Sequence, residues 1–148
     1  PEMISQAVGP MLKDESINIV NLMGPTEDFS EFEDPNTVKV VVGDDSKALY
    51  FSREPIPTRK KGVEDVPMMK QICIIPFKRD YLIQFNNTDE TPLELIESVD
   101  MLRVLENGGD VHMVLTEHPS VSVDTEEDLN RVVKLMSNDS LMHTYLRE

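Results

Sequence analysis

Residues 91–116 read TPLELIESVDMLRVLENGGDVHMVLT, and this stretch decides the fold class. Thr91 is an N-cap residue by type. Pro92 suits the first helical position, where its missing N–H leaves nothing unpaired, and Glu94 is placed to close a capping box. Leu93, Ile96, Val99, Leu102 and Leu105 recur at helical spacing, which predicts one amphipathic helix with a single buried stripe. Asn107-Gly108-Gly109 supplies the stop, and the apolar, β-rich run from Val111 to Thr116 predicts a strand. A helix that turns through glycines into a strand is the repeating unit of an α/β domain.

The same alternation extends outward in both directions. Pro1 to Leu12 predicts a helix with Ile4, Val8, Met11 and Leu12 on one face and a break near Gly9-Pro10. Ile17 to Met23 predicts a buried strand ended by Gly24-Pro25. The acidic stretch from Thr26 to Asn36 predicts a surface loop or short helix with Phe29 or Phe32 tucked in. Val38 to Val42 and Ala48 to Phe51 flank the turn signal Gly43-Asp44-Asp45 and predict a β-hairpin. Three prolines between Arg53 and Pro67 predict an extended loop. Met68 to Phe77 predicts a second buried strand, and Lys78 to Asn86 a short helix. A last helix runs from the Asp124-to-Asp128 corner to about Met136, and the tail from Ser137 has moderate helical character. The expectation is one α/β domain with a mixed, mostly parallel sheet and an inserted β-hairpin.

Twenty-eight acidic side chains against fourteen basic ones give a formal charge of −14. Such a surface repels a nucleic-acid backbone and an anionic membrane, so neither is expected as a partner. A phosphate ligand would need a divalent metal or a local basic cluster beside it. The single cysteine, Cys73, excludes an internal disulfide and fits a reducing, cytoplasmic setting. Its place in the apolar run Ile72-Cys73-Ile74-Ile75 predicts a buried thiol. No apolar stretch approaches the ~20 residues of a membrane span, and no secretory signal pattern is present. The chain opens on Pro1 with a helix at once, which reads as a piece of a longer chain.

No phosphate loop, dinucleotide fingerprint, zinc-protease motif or nucleophile elbow occurs, and His112, His118 and His143 lack ligand spacing. The most informative corner is at Asp124, where a strand turns into the last helix. Ligands of open α/β sheets bind outside the carboxyl ends of strands. If Thr125 caps the helix, with Asp128 closing the box, Asp124 is left as a hard oxygen ligand of the kind Mg²⁺ takes. Alternatively Asp124 is itself the cap. Ser52-Arg53 ends a strand, where an arginine either forks onto a ligand carboxylate or lies on the surface. Arg59-Lys60-Lys61, the only basic cluster, either meets an anion or solubilises its loop. On the 91–107 helix, Glu94 is engaged by its cap, and Glu97, one turn on, is better placed to face a ligand.

Taken in order, Val38-Lys39-Val40-Val41, Ala48 to Pro57 (ALYFSREPIP), Thr91 to Ser98 (TPLELIES), Leu102 to Gly108 (LRVLENG) and Val123 to Leu129 (VDTEEDL) resemble the CMP-Kdo synthetase family, the 3-deoxy-manno-octulosonate cytidylyltransferases, and its CMP-sugar-acid relatives. The resemblance runs from about Val38 to Met136. It implies a fold of nucleotide-diphosphosugar-transferase type, with residues 38–57 contributing to a homodimer. It implies that CTP and an eight-carbon sugar acid give a CMP-sugar and pyrophosphate, with Mg²⁺ as cofactor on Asp124. Ser52 and Arg53 would border the sugar-acid site, Arg53 pairing with the acid's carboxylate, and Glu97 and Glu94 would reach sugar hydroxyls. Relatives commonly carry a histidine where this chain has Gln71, so Gln71 would border the same substrate. Gln71 also keeps a sister enzyme for an amino-sugar or nine-carbon acid in view. Nothing before Pro1 corresponds to the family's N-terminal half, with its basic triphosphate loop and second metal-binding aspartate. The chain therefore reads as the C-terminal part of such an enzyme, inactive by itself; the alternative is a non-catalytic binding or dimerisation module.

Overall fold

Strand β1 (Val20–Pro25) is the spine of the sheet. In the computed structural model, which describes residues 2–63, 65–118, 120–123, 125–139 and 142, β1 pairs antiparallel with β4 (Met69–Ile72) and parallel with β5 (His112–Leu115). With β2 (Lys39–Val42) and β3 (Ala48–Ser52) the strand order is β3-β2-β4-β1-β5. The sheet is mixed, as expected, but not mostly parallel: only β1–β5 is parallel, while β1–β4, β2–β3 and β2–β4 are antiparallel. The cause lies in the connections. After β1 the chain offers only the five-residue helix α2 (Phe29–Glu33), a hairpin and an irregular loop, none of them the helical crossover that parallel neighbours need.

The hairpin does more than decorate an edge. It leaves β4 after the rung Lys39↔Lys70, and its turn folds over to β5. There the Ala48 N–H donates to Val111 O at 2.9 Å and the Met113 N–H to Ser46 O at 2.7 Å. Val40, Ala48 and Phe51 thereby join Ile19, Val111 and Met113 in one core.

Alternation along the strands gives the sheet two apolar faces. Ile19 and Met113 face the core that helices over residues 92–106 complete with Val99, Met101, Leu102 and Val104. Val20, Leu22 and Ile72 face helix α1 (Glu2–Lys13). The buried stripe of α1 is Met3, Ala7 and Met11, whereas Ile4 and Leu12, expected inside, are 62 % and 80 % exposed. The expected break at Gly9-Pro10 does not occur. Pro10 sits in the last turn, where one lost hydrogen bond is outweighed by packing, and its own carbonyl still accepts the Asp14 N–H at 2.9 Å.

The single helix expected over 91–107 is two. Helix α3 (Arg79–Asn86) precedes α4 (Pro92–Glu97) and α5 (Met101–Glu106), and Ser98 between the last two is left-handed at φ 53°. The kink turns Ile96, expected on the buried stripe, out to 75 % exposure, while Val99 and Leu102 stay buried. Strand β1 also runs two residues beyond its expected end at Met23: Gly24 pairs with Lys70 and Pro25 with Met69, the latter a strand-end position where a missing N–H is tolerated. Strand β4 is shorter than expected. The Ile74 N–H bonds back to Ile72 O at 2.7 Å, a three-residue turn that swings Cys73 outward, so the thiol is exposed rather than buried.

Residues 119–148 form a separate compact unit. Helix α6 (Glu126–Ser137) takes Thr125, one of the two caps the sequence left open: Thr125 Oγ1 accepts the Asp128 N–H at 3.2 Å, and Asp128 accepts the Thr125 N–H at 2.9 Å. The strand expected to lead into this corner is not formed, since residues 120–123 pair with no neighbouring strand among the described residues. Asp124, Leu141, His143, Tyr145 and Leu146 lie outside the described residues. Among the described residues no helix is long and apolar enough to cross a membrane.

Candidate functional site

Strand β3 ends at Ser52, which the ladder sets opposite Lys39. Helix α4 ends at Glu97, and its carboxylate reaches that strand end. It accepts the Ser52 hydroxyl at 2.8 Å, the Tyr50 hydroxyl at 3.3 Å and the Arg53 backbone N–H at 2.8 Å. Burial, reinforced by the Glu97 charge, pushes the Tyr50 phenol above its ordinary pKa and keeps it a donor. Arg53 extends the cluster: Nε donates to Glu97 O at 2.6 Å, Nη1 to Pro35 O at 2.8 Å and Nη2 to Ser98 O at 3.1 Å. Ser52, Arg53 and Glu97, expected at one site, are thus brought together. A guanidinium carries five N–H donors, so Arg53 keeps part of its fork beyond these carbonyls.

Sequence reading missed Lys39, which holds this corner from beneath. Its side chain is 0 % exposed, and its ammonium donates to the carbonyls of Asp34 at 2.8 Å, Thr37 at 2.6 Å and Arg53. Burial lowers its pKa, and the Asp34 and Glu54 charges work against that shift. The available signal was a lysine set among valines in a strand, Val38-Lys39-Val40-Val41.

Glu94 goes elsewhere. It is 6 % exposed and gripped two-pronged by Arg103, whose Nε lies at 2.8 Å and Nη2 at 2.5 Å, and it accepts the Thr91 N–H at 3.2 Å. The Arg103 hydrogen bonds hold the Glu94 carboxyl below its ordinary pKa. Arg103 in turn lies 4.5 Å over the Phe85 ring. Glu94 thus anchors α4 to α5, and it is not part of the Glu97 cluster.

Gln71 sits in β4 opposite Met23, near the carboxyl end of β1. Its amide nitrogen donates to Asn21 Oδ1 at 2.6 Å. Asn21, also missed, is 0 % exposed and donates through Nδ2 to Leu22 O and Ile72 O, both at 2.8 Å. In the basic cluster, Arg59 lies 5.5 Å over the Phe29 ring, and Lys60 and Lys61 are exposed. Among the described residues no three His, Cys, Asp or Glu side chains converge as a metal cage.

The mixed, two-faced α/β sheet thus gathers hydrogen-bonding side chains at its strand ends. The chain belongs to the cytidylyltransferase family, whose model matches residues 1–139. Within it, the chain is 37 % identical over 147 residues to the 3-deoxy-manno-octulosonate cytidylyltransferase of Geobacter metallireducens, a match covering 93 % of this chain and 58 % of that protein. It is 40 % identical over 140 residues to the enzyme of the same name from Syntrophotalea carbinolica, covering 89 % of this chain and 56 % of that one. Among solved structures, that of CMP:2-keto-3-deoxy-manno-octonic acid synthetase complexed with CTP superposes with a TM-score of 0.84 at 30 % identity, over 93 % of this chain and 56 % of that one. The chain therefore spans somewhat over half the length of these relatives.

Proposed function

We propose that this chain forms the sugar-acid half of a cytidylyltransferase that joins CTP to a Kdo-like 3-deoxy sugar acid, giving the CMP-sugar and pyrophosphate. The observation that carries this is the Ser52–Arg53–Glu97 cluster at the carboxyl end of β3, in a fold shared with a synthetase complexed with CTP. The sugar's anomeric hydroxyl oxygen attacks the α-phosphorus of CTP, the bond to the bridging oxygen breaks, pyrophosphate leaves, and the hydroxyl proton is lost. Such an in-line transfer needs positioning and charge neutralisation more than covalent help from the protein.

In this scheme the N–H groups of Arg53 not bound to backbone meet the acid's carboxylate. Glu97 and Ser52 fix the Arg53 backbone, Gln71 meets another edge of the sugar, and Glu94 acts at one remove by holding α4. A divalent ion, Mg²⁺ by choice of hard oxygen ligands, would be held by Asp124 as this chain's contribution and would supply charge neutralisation beside a surface of net charge −14. The partner in solution is a second copy docked through residues 38–57, where β3 is an edge strand and Leu49 is 63 % exposed. The setting is cytoplasmic.

The test is pyrophosphate release from CTP and candidate acids by the protein as it occurs in its host. Release with a 3-deoxy eight-carbon acid is expected, and none with any 3-deoxy sugar acid overturns the assignment. Asp124→Asn should lower metal-dependent turnover at least about tenfold with an unchanged circular-dichroism spectrum; a normal rate moves the metal to another residue.

A further inference from the structure

Lys39 joins two pieces of backbone that meet at Arg53. Its ammonium has three N–H donors, and three carbonyls take them: Asp34 O at 2.8 Å, Thr37 O at 2.6 Å and Arg53 O. Two of these belong to the turn between α2 and β2, and the third to the residue after β3. That turn also carries Pro35, whose carbonyl accepts Arg53 Nη1 at 2.8 Å. One buried cation thus fixes the main chain from which the guanidinium springs and, separately, the segment that receives one of its prongs. Glu97 completes the hold by accepting the Arg53 N–H at 2.8 Å. Without the ammonium, three carbonyl oxygens would face one another in a site sealed from water, which costs more than the lost hydrogen bonds alone.

We propose that Lys39 is a positioning residue for the sugar acid: it sets the direction of the Arg53 fork, and so the pose of the carboxylate that the fork receives. This rests on the sugar-acid assignment above and deepens it. Lys39 is sealed from solvent, so it touches no ligand itself and acts on one only through what it holds. A planar fork receives a carboxylate well in one orientation, and a misplacement of about 1 Å in a positioning group costs about a hundredfold. Charge is what gathers the three carbonyls. Asp34, Glu54 and Glu97 lie close enough to favour the ammonium, Arg53 opposes it, and Lys70 stands opposite in the ladder. Burial outweighs the favourable charges, so Lys39 sheds its proton below the ordinary lysine range.

The experiment uses the protein as it occurs in its host, with CTP, a 3-deoxy eight-carbon acid, and melting midpoints to confirm folding. Lys39→Met keeps most of the side-chain length and removes the charge. The KM for the acid should rise at least about fivefold while the KM for CTP stays within about twofold. An unchanged acid KM, or a rise shared equally by both KM values, overturns the proposal, since a merely structural role would loosen both sites or neither. A second measurement needs no variant. In the wild type the acid KM should climb between about pH 8 and about pH 9.5 as Lys39 loses its proton, with the CTP KM level, and in Lys39→Met the acid KM should be flat over that range. A level wild-type acid KM overturns the proposal even where the variant does not fold. In each of these cases wild-type turnover still upholds the broader assignment. A wild-type protein inactive with every acid overturns both.

Discussion

A carboxylate that takes three donors cannot become an amide without turning an N–H toward one of them. Glu97 is in that position, holding the Ser52 and Tyr50 hydroxyls on one oxygen and the Arg53 N–H on the other. Glu97→Gln should lower stability by about 2 kcal/mol, the scale of hydrogen bonds to a charged group, and urea midpoints measure it. A loss under about 0.5 kcal/mol would show the cluster to be slack. Glu94 makes a second, pH-dependent prediction. Its folded pKa lies below the unfolded value, so its contribution is fully present above about pH 4.3 and is lost as pH falls through the folded pKa. Glu94→Gln should therefore cost about 3 kcal/mol at pH 7, as for a buried pair deprived of one partner, and progressively less as pH falls through the folded pKa of Glu94. Parallel urea titrations of wild type and variant over a descending pH series check this. Much of this chemistry was legible in residue types: Ser52 and Arg53 stand in the sequence as polar groups at a strand end, and Glu97 as a polar residue one turn into a helix. Lys39 and Asn21 were not, because each sits inside an apolar strand, and only the fold shows which carbonyls await it.

At the scale of elements, the sequence identified nearly every helix and strand but misjudged where they stop. Propensity and periodicity are local, whereas the breaks come from backbone turns that few residue types announce. The α4–α5 kink is the clearest case. Leu93 to Leu105 keeps a helical period, yet Ser98 turns left-handed and the Val99 N–H bonds back to Glu94 O at 3.2 Å. Cys73 shows the strand counterpart, an apolar run interrupted by a three-residue turn. Glycine adopts the left-handed region without a Cβ penalty, so Ser98→Gly should leave the fold intact and raise the urea midpoint by the equivalent of about 0.5 kcal/mol. Ser98→Val should cost about 1–2 kcal/mol, since a β-branched residue resists positive φ more strongly than serine. If both changed stability equally, the kink would not be held by Ser98. The fold-over of the hairpin turn onto β5 was invisible for another reason: it joins residues 46–48 to 111–113, a pairing no local pattern encodes.

The whole molecule carries twenty-eight acidic and fourteen basic side chains, and this imbalance makes a prediction of its own. Exposed carboxylates without a nearby cation repel one another in the folded state more than in the expanded chain, and salt weakens that repulsion. The ion pairs respond in the opposite sense, but unequally. Arg103–Glu94 and Lys70–Glu31 are largely shielded from solvent, at 14 % and 8 % and at 11 % and 25 % side-chain exposure, so salt screens them little. Lys47–Asp110, at 42 % and 63 %, is open to screening and is worth at most about 1 kcal/mol. Raising ionic strength from about 0.01 M to about 0.15 M shortens the screening length from about 30 Å to about 8 Å. Net repulsion should therefore dominate, and the urea midpoint should rise by the equivalent of about 1 kcal/mol over that interval. Neutralising an exposed carboxylate of the acidic 27–34 segment, for example Glu33→Gln, should flatten the salt response. A midpoint that falls with salt would mean that the exposed ion pairs outweigh the net charge, and that the acidic surface is balanced locally.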